Sequence, residues 1–208
     1  MPHFRYHSKV NKAAYLMLKE KLDQEYFPKK AKLWFYGNIF SPDVAHSFKF
    51  LSGYEKFNHM NSEKHEGSLV QSLKQYKKLV RKLKSKKGAF NAAWLGHFIA
   101  DSLEPMHQTE WRDKNKKTRK QKRNFHLWVE HNTIKLNFQA GNLVEIKEPL
   151  DTYLKKKTKE IKKLNIKQYN KKDKERILKI YEQHIIPAQI EAVASIWYKS
   201  VCEANKAN

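Results

Sequence analysis

The sequence predicts an all-α fold, and three observations carry that expectation. Long runs rich in Lys, Leu and Ile repeat their apolar residues at helical spacing. Only six Gly and six Pro occur among 208 residues, so few tight turns are encoded. No stretch pairs short alternating segments with hairpin turn residues. Hydrophobic residues make up 40% of the chain, enough to bury a core, and no repeat or linker composition divides it. The expectation is one helical-bundle domain over residues 1–208.

The elements follow in order. Residues 8–25, SKVNKAAYLMLKEKLDQE, place Val10, Ala14, Met17, Leu18 and Leu22 on one helix face, with Ser8 as the N-cap. The aromatic stretch LWFYGNIFSPDVAHSFKFLSGY is punctuated by Gly37 and Pro42 and predicts short helical turns. Residues 66–86 predict a long basic helix with Leu69, Val70, Leu73, Tyr76 and Leu83 inward. SKKG, ending at Gly88, reads as its stop. Residues 89–104, AFNAAWLGHFIADSLE, are apolar nearly all round and predict a buried helix. The charge block WRDKNKKTRKQKR predicts an exposed loop, after which NFHLWVEHNTIKLNF resumes helical spacing. Residues 147–171 are Lys-rich and more weakly patterned. The last helix, or pair of helices, spans about Asp173 to Glu203 with an interruption at Pro187.

Charge narrows the partners. Lys and Arg number 43 against 21 Asp and Glu, a formal net charge of +22. That field draws phosphate-bearing partners: nucleic acid, an anionic membrane surface or phosphodiester substrates. A Lys-rich solvated surface gives the same number without any such partner. No protein partner is implied. The single cysteine, Cys202, excludes an intrachain disulfide. The longest apolar runs are too short to cross a bilayer, and MPHFRYHSKV has no apolar signal core. The chain as given reads as cytoplasmic, or as secreted if a leader was removed.

The stretch GHFIADSLEPMH, residues 96–107, concentrates the chemistry. His97 and Asp101 stand four apart on one helix face, Pro105 ends or bends the helix, and His107 follows. Nineteen residues later HLWVE sets His126 and Glu130 four apart on another helix. Each pair can aim an imidazole nitrogen and a carboxylate oxygen at one cation. A lone His-x3-Asp is more often an ordinary hydrogen-bonded pair. Two pairs and a further histidine, in the least charged part of a very basic chain, point to metal. Zinc accepts these donors, as do Mn, Fe and Co.

LGHFIADSLEPMHQ followed by NFHLWVEHNTI resembles the zinc-dependent phospholipase C family and the related single-strand-specific S1/P1-type nucleases. The likeness rests on H-x3-D-x5-H followed by H-x3-E, here His97, Asp101, His107, His126 and Glu130. It extends more loosely to YGNIFSPD with Asp43, to YHSKVNKAAYLML with His7, to FNHMNSEKHEG with His59, and to the closing AQIEAVASIWYKS. The resemblance implies an all-helical fold holding two or three Zn2+ ions. One would be held by Asp43, His59, His97 and Asp101, and a second by His107, His126 and Glu130. A third would take His7 and a bridging Asp101 together with N-terminal atoms. The family supplies those atoms from an N-terminal tryptophan. This chain begins Met1-Pro2-His3, so Pro2 or the His3 side chain would have to substitute.

Other histidines compete or drop out. His46 lies three residues after Asp43 and is the alternative to His59. His65 and His131 sit among polar residues and read as exposed, and His184 has no carboxylates around it. Trp94, Trp111 and Trp128 read as core or cleft wall, and Phe98 and Phe125 as packing residues. The implied activity is hydrolysis of a phosphodiester by metal-activated water, with Asp43 as catalytic base. Glu130, PMH and the compact length lean towards the phospholipase branch, whereas NFH leans towards the nuclease branch. A third reading has no turnover: a helical nucleic-acid- or membrane-binding protein with a structural metal site.

Overall fold

The computed structural model describes residues 3–19, 21–22, 27–42, 67–85, 87–108, 116–139, 141–164, 166 and 173–206. Among the described residues the regular structure is helical and no strand occurs. The helices are α1 (His3–Lys19), α2 (Lys30–Asn38), α3 (Ser68–Lys82), α4 (Gly88–Ser102), α5 (Lys116–Thr133), α6 (Leu150–Lys162), α7 (Lys174–Ile180) and α8 (Ile186–Lys206). A short 3₁₀ turn, Pro105–Gln108, follows α4. Within the described residues no helix is long and apolar enough to cross a membrane.

Helix α4 is the axis of the bundle. Its all-round apolar sequence leaves Phe90 as the one residue of its fifteen that is not buried. Helices α1, α2, α3 and α8 all pack against it. Leu95, Ile99 and Leu103 are fully enclosed there, together with Val10, Ile190, Val193 and Trp197 from the neighbouring helices. Each such side chain stabilises the fold by roughly 1.5–3 kcal/mol relative to exposure.

Four sequence expectations are corrected. Helix α1 begins at His3 rather than residue 8. Ser8 lies inside it, and its hydroxyl accepts a hydrogen bond from Asn38 Nδ2 at 2.9 Å instead of capping. On α3, Val70 is exposed, while Ser68, Gln71, Ser72 and Gln75 join Tyr76 and Leu79 on the buried face. Ser72 satisfies its buried hydroxyl by donating to the Ser68 carbonyl at 2.8 Å. Gly88 is the first residue of α4, and it must be glycine because a Cβ there would stand 2.2 Å from the carbonyl oxygen of Leu83 at the end of α3. The charge block is partly helical: α5 starts at Lys116, within the stretch expected to be loop.

The interruption at Pro187 takes a specific form. Pro187 is the second residue of α8, and the turn before it, Tyr181–Ile185, is widened into a π-type turn. There the Ile186 N–H reaches back to the Tyr181 carbonyl. A proline ring clashes with the carbonyl four residues earlier and lacks the donor for it, and the extra residue per turn relieves both.

One close approach decides where α1 sits. An added Cβ at Gly96 would lie 2.1 Å from Asn11 Oδ1 and 3.1 Å from the Trp197 ring. Asn11 is itself held to α4, donating to the Ala93 carbonyl at 3.3 Å. Gly96→Ala should therefore displace the Asn11 amide, break its hydrogen bond to Ala93 and cost about 1–3 kcal/mol, read as a lowered urea midpoint. An unchanged midpoint would show that the contact is not tight.

Candidate metal centre

The GHFIADSLEPMH stretch is placed by two physical demands. The apolar run buries α4, and Pro105 stops it, so His107 enters from the 3₁₀ turn after a sharp change of direction. His7 arrives from α1, on the turn just before the Asn11–Gly96 contact. His126 and Glu130 come from α5, one helical turn apart.

Asp101 lies at the meeting point. His7 Nε2 is 3.3 Å from its Oδ1, and His97 Nε2 is 3.2 Å from its Oδ2. Two histidines thus face different oxygens of one carboxylate, the arrangement a bridging carboxylate requires. The His7 and His97 rings lie 3.9 Å apart between centroids. His107 Nδ1 lies 3.8 Å from Asp101 Oδ1, the oxygen that His7 also faces. Its Nε2 stands 3.3 Å from His126 Nε2, and His126 Nε2 is 3.1 Å from Glu130 Oε1. Two groups result, His7–His97–Asp101 and His107–His126–Glu130, with donor atoms inside each lying within 4.8 Å of one another. His107 joins the two.

These donors fit divalent cations. Tetrahedral zinc with bonds of about 2.1 Å holds its ligand atoms about 3.4 Å apart. The separations of 3.1–3.3 Å between His7 and Asp101, His97 and Asp101, His107 and His126, and His126 and Glu130 lie close to that spacing. Three carboxylates, Asp101, Glu104 and Glu130, are buried around the cluster in a chain of net charge +22. Burying carboxylates costs several kcal/mol each unless positive charge offsets it. The first group is the deeper: the His97 and Asp101 side chains are 2% and 1% exposed, against 13% for His107 and 15% for His126. The second group lies nearer the surface, although Glu130 is still buried.

Further residues brace the cluster, and little in the local sequence marks them. Tyr6, next to His7, donates to Gln189 Oε1, and Gln189 Nε2 donates to the Ala100 carbonyl at 2.9 Å. This ties α1 and the ligand end of α4 to α8. Tyr181, in the widened turn before Pro187, donates to Glu104 Oε1. Burial, then the Glu104 and Glu130 charges, hold the Tyr6 hydroxyl well above its usual range, so it stays protonated and keeps donating. Glu104 stands three residues after Asp101 and just before Pro105, and that spacing was the one available signal.

Of the expected ligands, the structure brings His7, His97, Asp101, His107, His126 and Glu130 together. Asp43, His59 and its rival His46 lie outside the described residues, as do His65 and Trp111. His131 and His184 are exposed. Trp94 is core, donating its indole N–H to the Phe40 carbonyl at 2.7 Å. Phe98 is fully buried, while Phe125 and Trp128 pack on each other, half-buried, on α5. No family model matches the chain, and neither a curated protein nor a solved structure matches it.

Cation binding here should depend on pH. Burial works against the His126 charge, but the hydrogen bond and charge of Glu130 outweigh it and raise the pKa above the ordinary 6.5. In the cation-free protein the His126–Glu130 attraction is fully present below the ordinary value and lost as pH rises through the raised one. A cation needs the neutral ring, so the proton competes with it. Zinc affinity, titrated against a chelating dye, should climb through the raised value, and His126→Gln should flatten that climb. An equally steep climb in the variant would contradict the assignment.

Proposed function

We propose that the chain is a zinc-dependent phosphodiester hydrolase of the phospholipase C type. The observation that carries the reading is the joined pair of donor groups around Asp101, which supports two or three cations in one centre. Bound there, such ions would supply positive charge for the phosphate oxygens and acidify water towards neutral pH.

The residues divide the work. Asp101, His7 and His97 form the buried floor, locked by helix packing, and would hold their part of the centre with little reorganisation. His107, His126 and Glu130 form the less deeply buried side, from which a phosphodiester would approach. Tyr6 and Gln189 keep α1 and α4 in register, and Tyr181 orients Glu104. Asp43 keeps its role as proton acceptor on the strength of the family resemblance. The +22 charge favours encounter with phosphate-bearing substrates.

Zinc-loaded protein should hydrolyse a short-chain phosphatidylcholine, lose that activity to a chelator and regain it on adding zinc. Asp101→Asn should lower turnover by about 100-fold or more. Cleavage of single-stranded DNA alone would replace this reading with the nuclease one. Hydrolysis of neither substrate would remove both enzymatic readings and leave a structural metal site.

A further inference from the structure

Helix α2 and the turn that follows it expose what a water-soluble surface normally hides. Trp34 is 57% exposed, and Phe35, Ile39 and Phe40 are each more than 40% exposed. They are close in sequence, and the Phe35 and Phe40 rings touch, with centroids 5.3 Å apart. A contiguous apolar patch of this kind marks an interaction surface. Trp34 and Ile39 also line an open groove between α2 and α1, and every ionisable residue lining it is basic: Arg5, Lys9, Lys12 and Lys30.

The register of α1 separates this groove from the metal centre. Arg5, Lys9 and Lys12 follow the i, i+4, i+7 spacing of one helix face. His7, two residues from both Arg5 and Lys9, points to the opposite face, towards Asp101. Lys9 is fastened at the far wall of the groove, donating to the Ile134 carbonyl.

We propose that the α1–α2 face docks the protein on an anionic phospholipid bilayer. Trp34, Phe35, Ile39 and Phe40 enter the interfacial layer, and the basic groove meets the lipid phosphates and acidic headgroups. Tryptophan favours that layer because its ring is apolar and its N–H stays wet. Single-stranded nucleic acid fits the face less well. Ile39 offers no ring for a base to stack on, and the Phe35 and Phe40 rings are tilted against each other rather than set apart as platforms. The proposal does not depend on hydrolysis, and its test is read without turnover.

The experiment is co-sedimentation of the full chain with vesicles of phosphatidylcholine containing about one-third phosphatidylserine, against vesicles of phosphatidylcholine alone. The serine-containing vesicles should bind the protein more tightly, and binding should weaken as salt rises. The double variant Trp34→Ala, Phe35→Ala should bind them at least about tenfold more weakly. The triple variant Arg5→Glu, Lys12→Glu, Lys30→Glu should lose at least about tenfold as well. Both should keep their helical circular dichroism and zinc uptake, since the altered side chains are exposed and His7 lies on the other face. If one variant fails to fold, the other still decides. Wild-type protein that ignores the serine-containing vesicles, or folded variants that bind them as tightly as wild type, would overturn the proposal. So would Trp34-dependent binding of oligothymidylate without vesicle binding.

Discussion

A single buried carboxylate constrains the rest of the molecule. Asp101 is almost wholly removed from solvent, yet it meets His7 and His107 on one oxygen and His97 on the other. Ionised in such a setting, it costs several kcal/mol unless positive charge sits beside it. The three histidines come from α1, from α4 itself and from the turn at Pro105, so the donors that would hold a cation beside Asp101 are assembled only when the bundle is closed. Folding and cation binding should for this reason be coupled. The bundle looks arranged for that closure: α4 is apolar on every side, and Gly96 lets α1 come close enough for His7 to reach.

A layer of uncharged donors surrounds the histidine–carboxylate cluster. Gln189 connects the Tyr6 hydroxyl to the Ala100 carbonyl, one residue before Asp101. The widened turn ahead of Pro187 presents Tyr181 to Glu104. A regular helix through residues 181–185 would rotate Tyr181 relative to everything after Pro187, so the proline and the Glu104 contact belong to one structural device. Braces of this kind hold ligand side chains in a fixed orientation, which is where metal sites gain affinity beyond their ligand count.

The fold class was legible because the strongest signals were local. The apolar run of α4 and the spacing of Val10, Ala14 and Leu18 on α1 need no tertiary information. The i, i+4 pairs His97–Asp101 and His126–Glu130 were legible for the same reason, since helix geometry alone brings each pair to about 3.1–3.2 Å. What stayed hidden depends on contacts between helices. Val70 looked inward by its apolarity, but the buried face of α3 is held by Ser68, Gln71, Ser72 and Gln75 beside Tyr76 and Leu79. Gly88 looked like a helix stop because its neighbours are basic, whereas its role is set by the Leu83 carbonyl across the turn. Tyr6, Gln189 and Tyr181 act over separations of 77 to 183 residues, which no local pattern encodes.

His7, His97, Asp101, His107, His126 and Glu130 are proposed to hold a cluster of cations. Anomalous diffraction from a zinc-soaked crystal, recorded on both sides of the zinc absorption edge, tests this most directly. The account requires at least two peaks, one against Asp101 and one between His107, His126 and Glu130. A map with no peak at either place would contradict it.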